Sequence, residues 1–289
     1  MPDQNKSKTL RATISQAFHI CLCSVILASL AYAQSEKTEA YRRADQRFEN
    51  IGTVTDAIRK VGQGNFVAAH VEEIVYAGAA EAIPFLKEQF ARSIDPGHKN
   101  DLDPGNKAEI ASALVRLGDK DQIYWDFLAK QADDAIESDP PFPREFDSQG
   151  RMLDDHFSSA FLQWAKDHNL SPSDAGERAV YEVPSKLIFL GKTGDPRGLP
   201  ILRRAMSSSN YMVQLMAAKG LAKLKDKDSI PLILAACEKS PWAAPAIAEA
   251  LVYFDDPRAQ SASQKYLPKE LFEELLAARQ VPGNDAFFH

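Results

Sequence analysis

The chain has 289 residues, 45% hydrophobic and 26% charged, with a net charge of −6. That length allows a long array with a continuous core, and the acidic balance disfavours nucleic acid and anionic lipid headgroups, which attract basic stripes.

Residues 1–33 read as an export signal rather than as part of the fold. Lys6, Lys8 and Arg11 form a basic start, Phe18 to Leu30 is mostly apolar, and Ala31-Tyr32-Ala33 supplies a small-x-small cleavage pattern. The mature chain then starts near Gln34, loses those three bases and Asp3, and moves from −6 to −8. The expected location is periplasmic or secreted, with no stable membrane span after cleavage. An uncleaved anchor is the alternative, although the run interrupted by His19 is short for one. Cleavage also removes Cys21 and Cys23, so Cys237 has no partner for an internal disulfide and is expected as a small buried hydrophobe on a helix.

Helical repeats are predicted over 34–137. A hairpin runs from Val54 to Tyr76, broken near Gly62 and Gly64. Ala79 to Arg92 and Lys107 to Leu117 follow, separated by a polar loop from Asp95 to Gly105 that is dense in turn formers. A calcium loop starting at Asp101 would need Gly sixth and Glu twelfth, where Asn106 and Ser112 stand, so that reading fails. An insertion is predicted at 138–175. It opens with the stiff Asp139-Pro140-Pro141-Phe142-Pro143, continues as a short amphipathic helix from Phe157 to Asp167, and ends where Ser171 caps a new helix with Asp174 three residues on. Insertions in repeat arrays emerge on one face and often bind partners; the alternative is that these aromatic side chains fold back as packing.

Residues 176–279 are predicted as further repeats and a cap, with 280–289 as a loose tail. Tyr211 to Leu224 is helical, since Val213, Met216, Ala217, Gly220, Leu221 and Leu224 form one apolar stripe. Ser209 or Asn210 is its cap. Pro257 to Tyr266 and Pro268 to Arg279 make a closing pair whose glutamates present a polar side to water.

One phrase recurs: Ala113 to Asp119, Phe189 to Asp195, Gly220 to Asp226 and Ala250 to Asp256. Its last three aspartates lie 31 and 30 residues apart, the mark of stacked helix pairs. Asp119 and Asp195 are 76 apart, which places the insertion between them. Asp195-Pro196 and Asp256-Pro257 are helix starts, an acceptor side chain followed by a residue with no amide to leave unpaired. A second element, Ile83-Pro84-Phe85-Leu86, returns as Leu199-Pro200-Ile201-Leu202 and Ile230-Pro231-Leu232-Ile233. A Pro inside a helix costs about 3 kcal/mol, so these lie in a first turn or at a kink.

The run Asp195-Pro196-Arg197-Gly198-Leu199-Pro200-Ile201-Leu202, continued by Val213 to Asp226, resembles the short HEAT-like repeat first associated with phycobilisome lyases. The resemblance implies an all-α solenoid of stacked antiparallel helix pairs. It departs from the family pattern at Gln214, where Arg is usual, at Thr193 in place of Leu, and at Lys225 and Asp255 in place of Gly.

No catalytic, cofactor-binding or metal-ligating set is expected. His70, His98, His156, His168 and His289 form no His-Glu dipeptide of the kind that HEAT-like di-iron hydroxylases use, and no H-E-x-x-H. His70 and Glu73 are too few for zinc, and His156 and His168 are too far apart along a helix to share a metal. There is no nucleophile elbow around Ser207-Ser208-Ser209, and Gly62-Gln63-Gly64 lacks the rest of a phosphate loop. The reading is a non-enzymatic exported scaffold for a protein partner, with Tyr211, Gln214 and Lys219 outward from the stripe and Trp164 as an aromatic anchor. The alternative is an enzyme subunit or lyase-like protein holding a small ligand beside the insertion.

Overall fold

A computed structural model describes residues 57–58, 68–92, 104–147, 151, 153 and 157–279, with the backbone alone at 68–69, 73, 76 and 104–106. The signal, the break near Gly62, the loop from Asp95 to Asp103, His156 and the tail lie outside them. The described residues form an all-α solenoid. Its helices are α1 (Ala68–Tyr76), α2 (Ile83–Ala91), α3 (Pro104–Arg116), α4 (Gln122–Glu137), α5 (Ser159–Asp167), α6 (Pro172–Glu177), α7 (Val183–Lys192), α8 (Leu199–Ala205), α9 (Tyr211–Lys223), α10 (Ile230–Lys239), α11 (Ala244–Val252), α12 (Pro257–Tyr266) and α13 (Lys269–Ala278).

The packing resolves into two layers. In one, α1, α3, α7, α9, α11 and α13 lie side by side in that order. The other holds α2, α4, α8, α10 and α12, each packed on first-layer helices: α2 on α3, α4 on α3 and α7, α8 on α9, α10 on α11, and α12 on α11 and α13. Residues 138–182, which run seven residues past the predicted end of the insertion at 175, lie between α4 and α7, two helices that pack on each other. They emerge on the edge where α8 turns into α9 and α10 into α11.

The recurrent phrase has a clear physical task. Asp195 and Asp256 cap the turn or helix that follows, accepting from the amides of Arg197 and Arg258 at 3.0 and 2.9 Å; after the first copy the cap is Asp121, two residues past Asp119, which accepts from Ile123 at 3.2 Å. Each such cap stabilises by about 1 kcal/mol. Asp226 makes no cap bond and instead holds Arg203 of α8 at 2.6 Å; Lys87 of α2 reaches Asp119 in the same way at 3.2 Å. Both bases stand three residues past the shared proline, so each ties a second-layer helix to the end of its own partner. The prolines settle both sequence alternatives at once. A 3-10 turn (Ala80–Ala82, Pro196–Gly198 or Lys227–Ser229) bends into an α-helix whose second residue is Pro84, Pro200 or Pro231.

The position before the closing aspartate is left-handed at Gly118, Gly194 and Lys225, with φ of 85°, 61° and 53°. Glycine adopts that conformation freely, whereas Lys225 is strained there. Lys225→Gly is expected to raise stability by about 0.5–1 kcal/mol, seen as a higher urea midpoint. Gly220 answers a different need. A Cβ there would lie 2.9 and 3.0 Å from the two Leu202 methyls and 3.1 Å from the Gly191 Cα, so α7 and α8 both press against α9 at this residue. Gly220→Ala should therefore destabilise by about 1–3 kcal/mol in thermal melts, although Ala is the better helix former.

A charged cluster crosses the first layer. The Glu72 carboxylate of α1 accepts from Arg116 at the end of α3 (2.7 Å) and from Lys192 at the end of α7 (2.9 Å), and all three side chains are nearly fully buried. Ser112 adds a bond to the Phe189 carbonyl at 2.9 Å, joining α3 to α7.

Candidate interaction site

The insertion leaves α4 at Ser138 and is fastened at once. Asn210, fully buried, caps α9 by accepting from the Met212 amide at 3.0 Å; its side-chain amide donates to the Ala179 carbonyl at 2.8 Å and the Pro140 carbonyl at 3.3 Å. One side chain thus joins the first and last stretches of the insertion to the next repeat. The Ala179 carbonyl is available because of Pro184. In an unbroken α-helix the Pro184 ring would clash with the Val180 carbonyl. Residues Arg178–Glu182 widen into a π turn, where the Val183 amide bonds to Arg178 rather than Ala179. π turns of this kind are frequent at functional sites.

Beyond the joint the insertion builds its own small core from Phe161, Ala165, Ala175 and Ala179, edged by Phe157, Trp164, Leu170 and Val180. Ser158 caps α5 through the Phe161 amide (3.2 Å), and Ser171 caps α6 through Asp174 (3.1 Å). The Leu153 amide donates to the Glu145 carbonyl at 3.0 Å and the Asp147 amide to the Arg151 carbonyl at 2.9 Å. Phe142 and Phe146 then lean across the repeat edge. Phe142 meets Tyr211 at 4.6 Å between ring centroids, Phe146 stacks on Trp242 at 3.9 Å, and Tyr211 meets Trp242 at 4.6 Å.

An open groove of about 440 Å³ lies along the insertion, lined by Phe142, Pro143, Phe157, Val180 and Tyr181, with Arg144 and Glu177 as its charged members. Arg144 sits 4.8 Å from the Phe157 ring. Of the large apolar side chains that the described residues expose, Tyr181 (71% exposed), Leu162 and Leu153 belong to the insertion; Ile123 and Leu232 lie on α4 and α10. Of the three on the insertion, Tyr181 also lines the groove.

The four residues singled out from sequence land differently. Tyr211 is half-buried in the aromatic contacts just described, and burial raises its phenol. Gln214 is not outward: it is 3% exposed and donates to the Met206 and Ser208 carbonyls at 3.4 and 2.8 Å, closing the α8–α9 turn. Lys219 is only 9% exposed. Burial pushes its ammonium down and the Glu249 carboxyl on α11 up, and each is partly restored by the other's charge. Trp164 stacks on His168 at 4.0 Å within the insertion, so its ring is committed to local packing. Tyr181, Leu162, Asp139 and Asn210 were not singled out as binding or joining residues. Only Pro184, deep in a helical pattern, could have signalled the π turn.

Cys237 is fully buried, and burial pushes its thiol up to about 12. Such a thiol is inert. Among the described residues no group of three or more His, Cys, Asp or Glu is placed to hold a metal, and no helix is long and apolar enough to cross a membrane.

Paired helices in two layers, closed by a repeated aspartate turn, define a helical-repeat protein. Residues 187–252, from α7 to the end of α11, match the family model of HEAT repeats, so the array is HEAT-like where it is most regular. No curated protein and no solved structure matches the chain.

Proposed function

We propose that the protein is an exported, non-enzymatic scaffold that holds a protein partner along the insertion. Its repeats belong, on this reading, to the phycobilisome-lyase kind, without lyase chemistry. The observation that carries the proposal is the groove with exposed Tyr181 on its lining, on a segment fastened to the array edge that also exposes Leu153 and Leu162. HEAT arrays commonly serve protein interaction, and the basic start and cleavage pattern of 1–33 support export.

The test uses the mature protein as bait in the envelope fraction of its native cell. Deleting 140–170 would remove Pro140 from Asn210 and unseat the joint, so the comparison is Leu153→Ser, Leu162→Ser and Tyr181→Ser combined. A partner held by the parent and lost by this variant supports the scaffold. Equal capture by both removes the insertion from the reading. The groove's volume also favours a second reading, a small ligand beside the insertion, which a stoichiometric ligand in the purified protein would support.

A further inference from the structure

We propose that Asp139 is an acid-operated latch: protonation of its carboxyl fastens the insertion to the α8–α9 connection, and ionisation loosens it. Asp139 is the first insertion residue after the α4 cap, and its Oδ2 contacts the Ser208 hydroxyl across the joint. Its Oδ1 is buried and has no hydrogen-bond partner.

No surrounding cation among the described residues is bonded to it. On the π turn, Arg178 donates to Ser138 Oγ rather than to Asp139. On α8, Arg204 is held by Asp133, and on α4, Lys130 is held by Asp134 at 2.6 Å. The remaining charge close by in sequence, Glu137 on α4, is negative. Ionised Asp139 is therefore a desolvated carboxylate with one hydroxyl donor, an unfavourable state.

The protonated form is better served. The Asp139 O–H donates to Ser208 Oγ, and the Ser208 proton turns to the Asn210 carbonyl 3.3 Å away, while the Asn210 amide still donates to Ser208 Oγ at 2.8 Å. Burial, opposed by the Ser208 contact, accordingly raises this carboxyl to about 6 from an ordinary 3.8. A raised carboxyl opposes the closed joint once ionised, so closure strengthens as pH falls through about 6 and levels off below about 4.

The reporter is hydrogen exchange of the Asn210 backbone amide in the full-length mature protein, corrected for intrinsic exchange. Its protection is expected to rise about tenfold from pH 7.5 to pH 5, while amides of α12, which carries no raised carboxyl, do not follow. Asp139→Asn, which cannot ionise, should abolish the rise. An unchanged Asn210 protection in the parent, or an equal rise in the variant, overturns the latch. Should the variant fail to fold, the Asp139 carboxyl carbon is titrated directly in the parent. A midpoint near 6 supports the latch, and one near 4 overturns it.

Discussion

Replacing Glu72 by Ala is expected to destabilise the protein by about 3–5 kcal/mol, because it leaves Arg116 and Lys192 buried together without their shared anion. Burial alone would raise the Glu72 carboxyl; the hydrogen bonds and charges of Arg116 and Lys192 overcome that and hold it down at about 2, against an ordinary 4.5. A depressed carboxyl contributes its stability in full above the ordinary value and loses it as pH falls through the native one. The parent should therefore lose about 3 kcal/mol from this group between pH 4.5 and pH 2. Glu72→Ala should lack that loss. Glu72→Leu with Arg116→Met and Lys192→Met should return close to the parent, since a packed apolar trio replaces a buried ion cluster at little cost. Urea denaturation measures all three. Because repeats unfold in neighbouring groups, hydrogen exchange should show α1 to α3 opening first in Glu72→Ala while α9 to α13 hold. A Glu72→Ala protein within about 1 kcal/mol of the parent would contradict the cluster's role.

The second large effect is expected at Asn210. Asn210→Ala removes a helix cap, worth about 1 kcal/mol, and orphans the Ala179 and Pro140 carbonyls, for a total of about 2–4 kcal/mol. Asn210→Ser keeps the cap and should lose less. Asn210→Asp is the informative case. It keeps an acceptor for the Met212 amide but turns a buried carboxylate oxygen toward two carbonyl oxygens, so at neutral pH it should be at least as damaging as Ala. Thermal melts rank the three, and exchange at α5 and α6 shows whether the insertion has come loose. A ranking in which Asp matches the parent would mean that the cap, and not the joint, is what Asn210 supplies.

Much of the array was legible because its signals are local. A cap needs an acceptor two or three residues before an amide, and Asp195, Asn210, Ser171 and Asp256 stand in such places. The stripe of α9 likewise follows from spacing alone. What failed was the back of that helix. α9 is backed by α8 and flanked by α7 and α11, so three sides are covered, and Lys219 and Gln214 are buried where a single-stripe reading puts them in water. The site was less legible because its bonds are long-range. Asn210 reaches 31 and 70 residues away, and Lys192 reaches 120 to Glu72. No window of sequence brings those partners together; only the stacking of the layers does. The 76-residue gap says that the period is interrupted, but a gap in a period does not say which turn was opened or where the interruption ends, and the array helix after it starts only at Val183.

The insertion's route has a mechanical consequence. A stack of helix pairs behaves as a spring, since each pair touches only its neighbours and small rotations add along the array. Here a segment arising in the α4–α7 pair grips the edge of α8–α9 at Ser208 and Asn210, and the edge of α10–α11 through Trp242. It acts as a splint over three successive turns of the spring. Relative rotation of these three pairs must break those contacts, whereas the α2–α3 and α12–α13 pairs carry no such tie to the insertion.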